Sequence, residues 1–492
     1  MASAPNNEMA HIHRLNCDTL VQIFEFNTDM FSDYESFRVL EQARNTSHVC
    51  REWRALLLAT PGLWARILNF NEILVSRATP EWIAELLRRT GSAPLHIKAD
   101  RGLNGYVSTD IARCLFEVLR ENWHRVRNLA ISVSDYEWGL NNAPLWDWMY
   151  TPAPRLEMFD VDFGIDSLEA SRPYAPLFGD RAPSLHTFRG YSFWDVKAPW
   201  LQQLRRMDID QPFNVYQTLV ALQTTANLEI LQIDRLSKLR DPTPPFPNVH
   251  LPQLTRLDLA AHFLKCVEIL DHLEIPPNCS LTYCPRDLNR RQFAQHRMTP
   301  MINALSKAAR RHFKAITGTV LELCIGSQSL HFYHREKGRI FFIWITCDNG
   351  ILMPRHATTT FLADFALPEF AQITSLLLRL PATAVVHEMA TFLACFPAVT
   401  ILSTGQSEIN QLLHIQDMLE SQNGAPTLIF PSLKIVNLPQ AEFLWYSEPA
   451  SKVTATHKFV AARREAGCEV EVGSGGNEYH NCVRMSSSNP IN

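Results

Sequence analysis

One spacing constrains this chain more than any other feature. An apolar residue, two others, a second apolar residue, one other and a third apolar residue recur along most of its length. The pattern appears as "VRNLAI" from Val126, "LEMFDV" from Leu156, "LHTFRG" from Leu185 with its last position lost, and "LRRMDI" from Leu204. It continues as "LEILQI" from Leu228, "LTRLDL" from Leu254, "ITSLLL" from Ile373, "VTILST" from Val399 and "LKIVNL" from Leu433. Up to Leu254 the starting positions lie 30, 29, 19, 24 and 26 residues apart. Such an alternation describes a strand with one inward face. No single unit of this size buries its apolar edge alone, so neighbouring units stack into a curved α/β solenoid.

The intervals bracket the ~20–29 residues of leucine-rich repeats. The asparagine or cysteine that usually follows the strand is missing, so these repeats are irregular. The pattern lapses between Leu254 and Ile373. There "PPNCSLTYC" reads as one worn unit, and "TPMINALSKAARRHF" as a helix with Ile302, Leu305, Ala309 and Phe313 near one face. "TVLELCIGS", "SLHFYHRE" and "RIFFIWIT" read as strands, the last two joined as a hairpin at Lys337 and Gly338. "FVAARREAGCEVEV" gives a last helix and strand. The polar, glycine- and serine-rich tail beyond it reads as disordered.

With 492 residues, 46% of them hydrophobic and 20% charged, the composition is globular and long enough for more than one domain. A net charge of −4 lacks the basic surplus of a general nucleic-acid binder. The opening "MASAPNNEMAHIHR" carries no apolar run, which reads against a secretory signal or anchor. The longest apolar stretch, Ile340 to Cys347, is far short of the ~20 residues that span a bilayer. Eleven scattered cysteines read as reduced thiols rather than a disulfide framework. A cytosolic or nuclear protein is expected.

Catalytic motifs give no lead. "HEMAT" at His387 starts like a zincin helix but lacks the second histidine, and no nucleophile elbow, phosphate loop or dinucleotide fingerprint occurs. Cys266, Cys279 and Cys284 with His262 and His272 match no common zinc framework, so buried thiols and surface histidines are expected. No cofactor, metal site or catalytic residue is assigned.

The first ~70 residues have a different texture, with apolar residues at helical spacing. "LNCDTLVQIFEF" places Leu20, Ile23 and Phe24 on one face, with Leu15 about a turn earlier. In "TSHVCREWRALLLATPGLW", Val49, Cys50, Trp53, Leu56 and Leu57 recur the same way until Pro61 and Gly62 break the helix. Three helices in so short a span bury only a marginal core and need a neighbour or partner. On spacing alone an apolar stripe of this kind is more often internal core than interface.

Together "LNCDTLVQIF" and "TSHVCREWRAL" resemble the F-box. Leu15, Asp18 in place of the family's glutamate, Leu20, Ile23 and Phe24 match its first half; Val49, Cys50 and Trp53 match its second. Asn16 stands where the family prefers proline, Thr19 where it prefers leucine, and the insert from Asn27 to Ser36 is long. The arrangement is also similar to a large fungal group in which an F-box runs into "WRALLLATPGLW" and "LLRRTGSAPLHI" before irregular leucine-rich repeats. The resemblance implies a disordered start over 1–11, an F-box-like helical domain over 12–68 and a helical linker over 69–120. An irregular leucine-rich-repeat horseshoe over 121–472 and a disordered tail over 473–492 complete it.

That resemblance implies a non-catalytic receptor subunit of a Skp–cullin–F-box ubiquitin ligase. Its helices dock on a Skp-type adaptor, which links it to cullin and RING subunits, and its repeats capture a protein substrate. Leu15, Leu20, Ile23, Phe24, Val49, Cys50 and Trp53 then lie at or just behind the adaptor interface. The alternatives are a non-catalytic scaffold with a degenerate F-box, and an enzyme with an unrecognised site within residues 260–370.

For the substrate, strand residues between the apolar anchors are expected on the concave side. These include Asp160, Asp162, Asp208, Asp210, Asp234 and Asp258, with Arg189, Arg206 and Arg256 among them. A column of acids would attract a basic segment; the plainer reading is that exposed strand ends prefer polar residues. Trp138, Trp146 and Trp148 form a second candidate anchor patch unless they pack under the strands.

Overall fold

Each of the nine hexamers runs into or lies on a β-strand, and the first apolar residue of each is at most 2% exposed. The structure, a computed structural model, describes residues 15–31, 38–75, 79–100, 109–132, 143–162, 176–190, 194–210, 213–237, 245–286, 288, 293, 295–314, 319–326, 329–336, 338–347, 353–380, 386–423, 428–440 and 454–475. Trp138, Lys337, residues 1–11 and residues 476–492 lie outside them. The chain is mixed α/β with largely parallel strands. It divides into two units: residues 1–228 with 237–242, and residues 229–236 with 243–492.

The first unit begins with helices α1 (Cys17–Asn27), α2 (Val39–Val49), α3 (Arg51–Ala59) and α4 (Pro61–Ala65). Strand β1 (Leu68–Asn69), α5 (Phe70–Val75), α6 (Pro80–Thr90), β2 (Leu95–Ala99) and α7 (Thr109–Asn122) follow. Strands β3 (Val126–Ser132), β4 (Met158–Asp162), β5 (Thr187–Gly190) and β6 (Arg206–Ile209), then α8 (Val215–Leu222), complete it. Strands β1 to β6 pair in sequence order, every pair parallel. Residues 69–120, expected as a helical linker, therefore also supply a strand. "LHIKA" alternates as a strand should, but it lies ahead of the recurring hexamers.

Alternation sets the core. In β4, Phe159 and Val161 are fully buried while Asp160 and Asp162 on the opposite face are half-buried. Phe159 stacks on Phe188 at 5.7 Å, and Phe188 meets Trp200 at 4.8 Å. Gly190 occupies the position where "LHTFRG" loses its last apolar residue, and the reason is steric. A Cβ there would lie 2.6 Å from the Phe188 ring, so the ring fills the space a side chain would take.

In the second unit the strands are β7 (Ile230–Ile233), β8 (Val249–His250), β9 (Arg256–Leu259), β10 (Leu273–Glu274), β11 (Ser280–Tyr283), β12 (Thr319–Ile325), β13 (Ser329–Glu336) and β14 (Arg339–Thr346). Then come β15 (Ile373–Arg379), β16 (Ile401–Ser403), β17 (Ile435–Pro439) and β18 (Glu471–Gly475). The main sheet runs β7-β9-β11-β14-β13-β12-β15-β16-β17-β18, and β8 pairs with β10 separately. Among the described strand pairs only β12–β13 and β13–β14 are antiparallel. The worn unit is a true strand, β11, parallel to both its neighbours. The hairpin forms where expected, and Gly338, at φ 83, takes the left-handed turn position. β18 runs into residues 473–475, which were expected to belong to the tail.

Helices α9 (Phe263–His272), α10 (Gln295–Lys314), α11 (Arg355–Asp364), α12 (Val386–Leu393), α13 (Gln406–Asn423) and α14 (Ala455–Glu465) alternate with these strands. Phe313 of α10 packs edge-on against Phe332, Phe341 and Phe370. Phe365, just past α11, meets Phe332 at 5.3 Å. These contacts lie on one face of the sheet. The opposite face carries Gln232, Asp258, Thr282, Tyr333 and Glu322.

Candidate functional site

Two surfaces follow from this build, an apolar helix cluster at the front and a polar strand face. Asn16 starts the cluster. Its side chain accepts from the Thr19 amide at 2.7 Å, so asparagine caps α1 at the place where the resemblance expects proline. Leu20, Phe24, Leu57 and Leu63 form the buried core, with Trp53 and Leu56 packed against it. Phe24 meets the Trp53 ring edge-on, 5.0 Å between centroids. Cys50 caps α3, its Sγ accepting from the Trp53 amide at 3.4 Å. Trp64 donates from Nε1 to the Leu57 carbonyl at 2.8 Å, with the Arg89 guanidinium 4.5 Å over its ring.

The seven residues expected at the adaptor interface thus separate by burial. Leu20 and Phe24 are core, Trp53 and Cys50 are half-buried, and Leu15, Ile23 and Val49 are exposed at 38%, 38% and 61%. Phe26, 84% exposed, and Leu58, 49% exposed, extend the apolar surface and were not anticipated. The sequence does carry their signal. Phe26 sits three residues after Ile23 on one helix face, and three consecutive leucines on α3 cannot all turn inward. Five of the seven large hydrophobic residues exposed among the described residues fall between Leu15 and Leu58.

The cluster is tied to the rest of its unit. Both carboxylate oxygens of Glu72, on α5, accept from the first turn of α2: Leu40 N at 2.9 Å and Glu41 N at 2.7 Å. Burial raises the Glu72 carboxyl above its ordinary range against these two bonds. The described part of the long insert packs inward: Met30 is 1% exposed, and its carbonyl accepts from Lys98 Nζ at 2.9 Å. Phe31 lies beside His96, whose ring burial holds down to about 4.

The strand-face acids are where alternation put them, but they are not a free column. In the first unit one row runs Lys98, Ala130, Asp160, Arg189, Asp208 across β2 to β6. Arg189 Nε stands 3.8 Å from Asp160, and Arg206 bonds Asp208 within its own strand at 3.3 Å. Asp208 and Asp210 are buried. Burial raises the Asp160 carboxyl to about 6; Arg189 draws it back and Asp208 pushes it further up. In the second unit Arg256 Nε bonds Asp258 at 2.7 Å, while Asp234 accepts from Gln232 Nε2 at 2.9 Å. The expected column of acids thus lies on strands that alternate charge, with Arg189, Arg206 and Arg256 beside the acids. An arginine two residues before an aspartate shares its face and closes the pair.

Trp146 and Trp148 are not an anchor patch. They are 0% and 3% exposed, packed on Phe116 at 4.9 Å and on Trp123 at 4.6 Å. Cys266, Cys279 and Cys284 have thiols pushed up to about 12, by burial first. Among the described residues no group of three or more histidine, cysteine or acidic side chains is placed to hold a metal ion, and no helix is long and apolar enough to cross a membrane. No known family model matches this chain, and no curated protein matches it.

Proposed function

We propose that this chain is a substrate receptor of a Skp–cullin–F-box-type ubiquitin ligase. In this reading it is an N-terminal F-box of three helices followed by an irregular leucine-rich-repeat solenoid. The observation that carries it is the concentration of exposed apolar side chains on α1 to α3, around a core too small to need them. A module that buries Leu20 and Phe24 yet leaves Ile23, Phe26, Val49 and Leu58 in water presents a docking face for another protein. Strand order supports the solenoid half: consecutive parallel strands, each hexamer opening on a buried apolar residue, with an antiparallel insertion at β12–β14 among the described residues. The receptor does no chemistry. It raises the local concentration of substrate lysines near the conjugating enzyme.

Purified chain incubated with recombinant Skp-type adaptor tests the reading. A stoichiometric complex on size exclusion supports it. Absence of any complex, with the N-terminal helices folded by circular dichroism and proteolysis, overturns it.

A further inference from the structure

On the sheet of the second unit, one row runs Gln232, Asp258, Thr282, Phe342, Tyr333 across β7, β9, β11, β14 and β13. Asp234 follows Gln232 by two residues and shares its face. Its carboxylate is half satisfied: Oδ2 accepts from Gln232, while Oδ1 is buried with no partner. Asp258 repeats the arrangement more deeply. It is 6% exposed, its Oδ2 is held by Arg256, and its Oδ1 has no partner. Buried polar atoms are nearly always bonded, and leaving a carboxylate oxygen without a donor is costly. Two such oxygens on adjacent strands of one face each lack a hydrogen-bond donor. Among the described residues Asp258 is ion-paired with Arg256, while Asp234, partly exposed, has no cationic partner.

Next along the row is a ring cluster. Phe342 meets Tyr333 edge-on at 5.8 Å and His331 edge-on at 5.1 Å, and it lies 6.2 Å from Trp344. Tyr333, His331 and Trp344 are partly exposed, and His331 Nε2 also lacks a partner. Amphipathic aromatics with open edges are the side chains on which recognition surfaces concentrate binding.

We propose that this face binds an extended peptide segment that places a lysine or arginine head between Asp234 and Asp258 and an aromatic or aliphatic side chain on the Phe342–Trp344 rings. Two strand spacings separate the β9 and β14 positions, about 10 Å, which an extended chain covers in about three residues. Alternate residues of an extended chain face the same way, so the segment carries its basic and apolar residues two or four positions apart. The site deepens the receptor reading, on which it rests only for calling the bound segment a client.

A degenerate nonapeptide library panned on immobilised full-length chain tests it. Selected peptides are expected to be enriched in lysine or arginine two or four positions from an aromatic or aliphatic residue. The best of them should lose about tenfold or more in affinity on Asp258→Asn, and separately on Asp234→Asn and Trp344→Ala, with melting temperatures checked for each. Asp234→Asn keeps the test decisive if Asp258→Asn fails to fold. Selection of acidic or purely apolar peptides, no selection at all, or affinity unchanged in the folded variants overturns the proposal. Adaptor binding measured on the same preparations separates the two failures: its persistence leaves the receptor reading standing while this site falls.

Discussion

Phe24 and Trp53 meet edge to face across the helix cluster, ring centroids 5.0 Å apart. The contact joins the two halves of the sequence that resemble an F-box, and it is internal. Phe24→Ala therefore removes core rather than interface. It should cost about 3 kcal/mol and expose α1 to α3 to limited proteolysis before any other region. Intact protection of residues 15–65 in that variant would contradict the packing described.

Ile23 and Val49 should behave in the opposite way. Their side chains are exposed, so Ile23→Asp and Val49→Asp should leave the melting temperature within ~2 °C of the parent. On the proposed receptor reading, adaptor capture should fall at least tenfold in each. A fall in stability matching that of Phe24→Ala would place these residues in the core instead.

The buried pair of rings on α10 and β13 predicts acid sensitivity in the second unit. His312 Nε2 and His334 Nδ1 lie 3.0 Å apart, and the outer nitrogen of each ring has no partner. Burial holds both neutral, His312 down to about 3, with His334 and Arg339 adding to the effect, and His334 down to about 4. A histidine whose folded value lies below its unfolded value of ~6.5 favours the folded chain above that pH. Stability is lost as pH falls from about 6.5 toward 4, because the unfolded chain takes up the protons. Urea unfolding followed by hydrogen exchange in β13 should show a loss on the order of 2 kcal/mol across that window. His334→Phe should flatten the profile.

Arg463 acts as a buried clamp on α14. It is 0% exposed and donates to the carbonyls of Ile429 and, at 3.0 Å, of Phe430, whose backbone sits at φ 55. Burial lowers the guanidinium to about 10. Arg463→Met keeps the volume but leaves two carbonyls unbonded, and should destabilise the chain by about 2–4 kcal/mol by chemical denaturation. A neutral result would mean that the left-handed Phe430 turn holds without it.

Local patterns in the sequence were readable and distant pairings were not. Val126 and Leu433 announce strands because the pattern around each is confined to six residues. The Gly338 turn is legible for the same reason. Parity also puts Asp160 and Asp208 on one face of the first unit's strands, and Asp258 on the polar face of the second unit's. It could not reveal that Arg206 and Arg256 fold back along their own strands to close those acids, since nothing in a period of two fixes a side-chain torsion. His312 and His334 are 22 positions apart and become neighbours only because α10 packs over the hairpin. Trp146 and Trp148 looked like a patch because their ring partners, Phe116 and Trp123, belong to an earlier segment.

The bonds from Glu72 to α2 and from Lys98 to the Met30 carbonyl leave the N-terminal helices little freedom to swivel on strands β1 and β2. Whatever grips the outer side of α1 inherits the orientation of that strand ladder. The first unit then behaves as a bracket rather than a leash, fixing direction as well as distance for anything it carries.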